Sequence, residues 1–270
     1  MDDATTPSAR ERHQTRAALQ FDSISSVVRV IAGAAAIALT LRTLVLEPFN
    51  IPSESMLPTL QAGDYLFVAK WPYGISRYSL PQSPPLFSGR IGGGTPARGD
   101  VVVFKTPRDN RTDFIKRVAG LPGDRVRMIG GQLEINGVRV SKIKTGDFLV
   151  APSLEGTCHG DGQVATGLCR YPRFIEQIDH HRYAVLDEIA NDPRDNTSVV
   201  TVPAGHYFVM GDNRDDSADS RLSIADGGVG MVPAENLIGR AEVIFFSTGT
   251  ATPGTSWWSR LRLDRIGTRL

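Results

Sequence analysis

Two serines, Ser53 and Ser55, lie between Pro52 and Pro58 in Ile51-Pro52-Ser53-Glu54-Ser55-Met56-Leu57-Pro58-Thr59-Leu60. A serine hydroxyl attacks a carbonyl only when a neighbouring base takes its proton. Most of the 30 basic residues are arginine, which stays charged in a protein and cannot be that base. A lysine can, once burial disfavours its ammonium form. The lysines are Lys70, Lys105, Lys116, Lys142 and Lys144.

Lys116 lies in Asp113-Phe114-Ile115-Lys116-Arg117-Val118, ahead of Leu121-Pro122-Gly123-Asp124. Side chains alternate between the faces of a strand, so Phe114, Lys116 and Val118 share one face and Arg117 points away from the amine. Two apolar neighbours would strip water from the amine and lower its pKa. The same pattern also fits a lysine lying along a sheet with its amine in water. Ser-Pro clusters likewise mark turns, which Ser53 could cap or brace. His206, just before a candidate strand, allows either a Ser-His-Asp triad or a structural histidine.

A third segment reads Met210-Gly211-Asp212-Asn213-Arg214-Asp215-Asp216-Ser217-Ala218-Asp219-Ser220-Arg221. Its carboxylates lack the glycine and terminal glutamate of a calcium loop. His159 beside Cys158 lacks the further ligands that zinc requires. The expectation is no metal and no cofactor.

The elements that must position these residues are mainly β. A chain of 270 residues with 27 glycines, 17 prolines and short apolar runs suits strands joined by tight turns. Candidate strands are Tyr65–Ala69, Val101–Lys105, Phe114–Val118, Arg125–Met128, Tyr183–Leu186, Val199–Val202, Tyr207–Met210 and Ala241–Phe246. Asn136-Gly137, inside an alternating run from Gln132 to Val140, predicts a type I′ hairpin. The stretches Ser76–Gly94 and Thr145–Asp179 read as loop excursions from the scaffold. A net charge of +1 removes the electrostatic case for a nucleic-acid partner.

Residues 24–46 are largely apolar, with Arg29 and Arg42 flanking the uncharged run. A buried soluble helix and a cleavable signal peptide compete with a membrane anchor here. Ala34, Ala35, Ala36 and Ala38 lie inside the run, and Arg42-Thr43-Leu44-Val45-Leu46 follows it, which favours an uncleaved single-pass anchor in the phospholipid membrane. Arg10, Arg12 and Arg16 put the tail, residues 1–23, in the cytoplasm. Residues 47–270 then form a periplasmic domain at the bacterial inner membrane. Cys158 and Cys169 are either a disulfide or two reduced thiols, and an oxidising periplasm favours the disulfide. Trp257-Trp258-Ser259-Arg260-Leu261-Arg262-Leu263 allows interfacial membrane contact or ordinary surface packing.

Together with Arg98-Gly99-Asp100-Val101-Val102-Val103-Phe104, these segments resemble the bacterial type I signal peptidases. The resemblance spans Glu47 to Phe246, with an echo in Leu261–Gly267. It implies that Ser55 is the nucleophile and Lys116 the general base. It assigns the oxyanion hole to the Ser53 hydroxyl and the Ser55 backbone N–H. Ser217 would hydrogen-bond and orient the amine, Asp219 and Arg221 would form a supporting ion pair, and Gly211 would mark a close backbone approach. The implied substrates are exported preproteins with small residues before the cut. Two departures stand out: Glu54 between the serines, whose carboxylate must point away from Ser55, and Asp216, where an amide is common. A peptidase dedicated to a pilus or conjugation substrate, or a catalytically silent export-associated β module, would share much of this pattern. A self-cleaving repressor shares the dyad but should carry a DNA-binding helical domain, which this N-terminus lacks.

Overall fold

In the computed structural model, which describes residues 26–40, 42, 45–150, 158, 163–165, 168–189, 191–249 and 256–270, the chain divides into two units, Met1–Thr43 and Leu44–Leu270. Residues 26–40 are helical, and among the described residues no helix is long and apolar enough to cross a membrane. Arg10, Arg12 and Arg16, which carry the expected orientation, lie outside the described residues.

The apolar segment does not stay helical to Leu46. Val45 O accepts from Lys70 N at 3.0 Å, and Leu46 pairs with Ala69. Pro48 explains the change: it cannot continue a helix, but an edge strand tolerates its missing N–H.

The larger unit is mainly β. Its strands begin with β1 (Leu46–Asn50), β2 (Asp64–Ala69), β3 (Ile75–Ser76), β4 (Arg90–Ile91), β5 (Val101–Lys105) and β6 (Asp113–Gly120). Then come β7 (Arg125–Ile129), β8 (Gln132–Ile135), β9 (Val138–Arg139), β10 (Ser141–Val150), β11 (Gln163–Ala165) and β12 (Leu168–Ile178). The last are β13 (His181–Leu186), β14 (Val200–Thr201), β15 (His206–Met210), β16 (Val232–Pro233) and β17 (Leu237–Ser247).

A seven-stranded sheet of order β1-β2-β17-β5-β6-β15-β16 carries the site. Val101-Val102-Val103-Phe104 makes β5 its centre, because β-branched and aromatic residues suit a strand covered on both faces. Val101 and Val103 pack with Ile51, Met56, Leu60 and Ile115. Val102 and Phe104 pack on the other side with Val118, Tyr207 and Val209. The Asn136-Gly137 turn joins β8 to β9 with φ of 53° and 83°, as a type I′ turn requires.

Thr145–Asp179 is not a loop excursion. β10 and β12 pair antiparallel from Ser141↔Gln177 to Val150↔Cys169, with an irregularity between Lys144 and Gly146. β11 and β13 pair with the other edge of β12. Cys158 and Cys169 are joined by a disulfide, and Cys169 is buried with Leu57, Tyr171 and Leu186. The remaining residues between β10 and β11, His159 among them, lie outside the described residues.

Candidate active site

Strand register delivers the lysine. Lys116 pairs with Val102 and Phe114 with Phe104, so Phe114, Lys116 and Val118 occupy one face of β6. The Lys116 amine lies 5.4 Å from the centre of the Phe114 ring, and the residue is only 3% exposed. Its Nζ donates to Ser55 Oγ at 2.6 Å and to Ile115 O at 2.9 Å. Burial lowers its pKa to about 8, against the opposing pull of the Asp219, Asp212 and Asp216 carboxylates. An amine titrating there is partly neutral near physiological pH, and a neutral amine can accept the proton of the hydroxyl it contacts.

The serine is held by its backbone. Asn213 N donates to Ser55 O at 3.2 Å, and Asn213 Nδ2 to Glu54 O at 3.4 Å. Ser53 Oγ lies 3.4 Å from Ser55 Oγ. Gly211 passes so close that an added Cβ would lie 2.3 Å from Ser217 Oγ and 2.5 Å from Ser55 O. Only glycine fits without moving the Ser55 carbonyl.

Asp219 is bound in two-pronged fashion by Arg221, with both contacts at 2.9 Å, and it accepts Gly211 N at 3.1 Å. These donors hold its carboxyl below the usual range despite burial. Ser217 departs from expectation. Its buried Oγ has no hydrogen-bond partner, whereas the Lys116 amine bonds Ser55 and Ile115. The Ile115 carbonyl, one peptide away on the same strand, takes the orienting place expected of a hydroxyl.

Arg117 faces away from the amine as expected but is itself buried. It grips Asp212 at 2.8 and 2.6 Å, donates to Gly99 O at 2.7 Å and stacks 4.0 Å over Tyr183. Thr59 Oγ1 bonds the same carboxylate at 2.5 Å. The pair thereby ties the strand bearing Lys116, the turn after Ser55 and the start of the 211–221 segment into one body. Sequence reasoning missed it. The only available signal was an arginine inside a strand, which should find an anion if buried.

The four carboxylates of 212–219 do not converge. Asp212 and Asp219 serve arginines, while Asp215 approaches Asp187 and Asp195. The Lys142 ammonium lies against Asp187 and already supplies that group with a cation. His206 Nδ1 lies 3.0 Å from Ala204 O, within its own turn rather than at Ser55 or Lys116.

A cleft of about 340 Å³ opens over the pair. Phe49, Ile51, Pro52, Val103, Phe114, Ile115 and Ala218 make its wall largely apolar, and Ser53, Ser55 and Lys116 also line it. A mainly β scaffold with a serine and a buried lysine in contact at the wall of a cleft defines a serine-hydrolase class of site.

Comparison with known proteins narrows that class. A family model described as signal peptidase, peptidase S26, matches residues 24–246. The chain is 38% identical over 231 residues to the signal peptidase I of Rickettsia typhi, covering 82% of this chain and 78% of the relative. Against the signal peptidase I of Rickettsia conorii the identity is 39%, covering 82% and 77%. A solved signal peptidase I from Enterococcus faecalis V583 is 26% identical, matching 54% of this chain and 97% of its own, with a TM-score of 0.30. The chain belongs to the signal peptidase family, peptidase S26, and is a serine endopeptidase.

Proposed function

We propose that this enzyme removes signal peptides from exported preproteins, with Ser55 as nucleophile and Lys116 as general base. The observation that carries the reading is the 2.6 Å contact between Lys116 Nζ and Ser55 Oγ, made by a buried amine whose other bond goes to a carbonyl. The neutral amine takes the hydroxyl proton as Oγ attacks the scissile carbonyl. It then returns that proton to the leaving amine as the C–N bond breaks. Water, deprotonated by the same amine, hydrolyses the acyl ester and frees Ser55. The Ser53 hydroxyl and the Ser55 backbone N–H stabilise the oxyanion.

Asp113–Lys116 support the mode of substrate binding. β5 pairs with them on one side, whereas β15 meets β6 only from Arg117 onward. An extended substrate can therefore add as a strand beside these residues, with its side chains alternating into the apolar wall. Small residues before the cut match the close approach to Ser55 that the chemistry demands.

The chain acts at the inner membrane, anchored once through the apolar segment, with its β unit in the periplasm. The Cys158–Cys169 disulfide supports an oxidising compartment. Protease added to sealed spheroplasts should digest the β unit, and protection there would reject this topology. For the chemistry, purified protein is mixed with a panel of preproteins in detergent and the quenched reaction is examined by mass spectrometry. Substrate mass on the Ser55 peptide is the expected result. Turnover by Ser55→Ala would reject the mechanism. The same panel separates general export from one dedicated substrate.

A further inference from the structure

Three sealed oxygens near the serine segment lack a hydrogen-bond partner: Glu188 Oε1, Asn213 Oδ1 and Asp215 Oδ1. They belong to one neighbourhood. Glu188 N and Ile189 N donate to Asp215 Oδ2 at 2.6 and 2.8 Å. The Asn213 side chain is within hydrogen-bonding reach of the Glu188 carboxyl, and as a donor there it opposes a proton on Glu188. A buried acceptor left unpaired is costly, so acceptors gathered in one place call for a donor. A single proton on Glu188 supplies one: its O–H can donate to Asn213 Oδ1, satisfying two of the three atoms together.

The surrounding charges favour that proton. Asp215 and Asp216 face Glu188 from the 211–221 segment, and Glu54 faces it from the serine segment. The cations of this neighbourhood are engaged elsewhere: Arg194 with Asp192 and Asp215 O, and Lys142 with Asp187. Burial, with Asp215 and Asp216 adding to it, outweighs the Asn213 bond and pushes the Glu188 carboxyl up to about 8.

Asn213 makes the proton matter, because it holds the carbonyls of both Ser55 and Glu54. We propose that Glu188 carries a proton in the working enzyme and, by fixing the Asn213 amide, acts as a positioning residue for Ser55. When that proton leaves, the carboxylate needs a donor, and Asn213 Nδ2 is within reach. Turning it over releases Glu54 O and removes one of two tethers on the nucleophile segment. The inference rests on the Ser55–Lys116 reading.

The test compares preprotein cleavage by wild type, Glu188→Gln, Glu188→Ala and Ser55→Ala across pH, separating kcat from KM. Wild-type kcat should rise as Lys116 loses its proton and fall as Glu188 loses its own. Glutamine offers Asn213 an N–H at every pH, so Glu188→Gln should keep the rise and lack the fall. Glu188→Ala should lose about tenfold in kcat with KM little changed, the expected loss from one missing hydrogen bond. Glu188→Gln should restore most of that loss. An infrared difference spectrum, wild type minus Glu188→Gln at pH 7, should show the carbonyl stretch of a protonated acid and serves even if Glu188→Ala misfolds. An unchanged alkaline fall in Glu188→Gln, or a carboxylate signal at pH 7, overturns the inference while inactive Ser55→Ala leaves the dyad standing. Active Ser55→Ala instead overturns the reading beneath it.

Discussion

Lys70 and Lys116 are two buried lysines in one sheet, and their surroundings differ in one respect. Lys70, at the end of β2, is 1% exposed, lies 2.9 Å from Glu47 Oε2 and also donates to Ser79 O. Lys116 is 3% exposed and donates to a hydroxyl and a carbonyl. Around Lys70 a carboxylate compensates the ammonium directly, whereas around Lys116 the Asp212 and Asp219 carboxylates are bound by arginines. Burial alone therefore does not make a base. On the proposed reading, what sets Lys116 apart is that Asp212 and Asp219 are occupied by arginines.

The widest separation between the two sites should come from arginine substitution. Lys116→Arg keeps the charge but cannot deprotonate, so cleavage should fall by at least about 10³-fold while circular dichroism stays native. Lys70→Arg should cleave within a few-fold of wild type. Substantial turnover by folded Lys116→Arg would erase the distinction and make His206 the next residue to test. Methionine reverses the ranking in stability. Lys70→Met removes the cation from the buried pair with Glu47 and should lose up to about 3 kcal/mol in denaturant titration. Lys116→Met relieves a desolvated amine and should lose nothing.

Titration sharpens the contrast. The Lys116 pKa is about 8 in the fold against 10.5 for the free side chain, so between those values the unfolded chain binds more protons. Stability should therefore rise with pH across that window, by on the order of 3 kcal/mol, and the penalty should be complete below it. Lys116→Met should abolish this increment, as measured by urea unfolding at pH 7.5 and pH 10. A wild-type slope that survives in Lys116→Met would place the titrating group elsewhere.

The smallest effect on activity should come from the disulfide. Its cysteines are 11 residues apart, and closing such a loop stabilises by about 3 kcal/mol. The bond is far from Ser55 in sequence, yet Cys169 packs in one cluster with Leu57, two residues beyond Ser55. Reduction should thus lower stability and also slow cleavage, by less than about tenfold. Activity untouched by reduction would show that the Leu57 contact does not reach Ser55.

The sequence made the serine and lysine segments legible because proline and strand alternation leave a local trace. The Asn136-Gly137 hairpin was legible for the same reason. β10 and β12 were not: Lys144, Thr145 and Gly146 interrupt any alternation, Pro172 breaks the partner, and the stability of the pair comes from pairing across the ladder. Thr145–Asp179 therefore looked like loop. Arg117 with Asp212, and Glu188 with Asn213, were hidden for a related reason. Each joins residues distant in sequence, and a charged or amide side chain does not announce its burial. Ser217 shows the converse: a hydrogen bond to Lys116 was expected of it, yet its buried Oγ has no hydrogen-bond partner.

Asp64, fully buried at the start of β2, receives Arg262 and Arg265, and Arg265 also donates to Thr59 O in the turn that follows Ser55. These contacts join residues about 200 positions apart. During synthesis the serine turn leaves the ribosome long before the arginines that brace it, and for that interval Asp64 has neither of them. Such long-range closure is slow and comes late. The turn after Ser55 therefore lacks its Asp64 brace until Arg262 and Arg265 have been made.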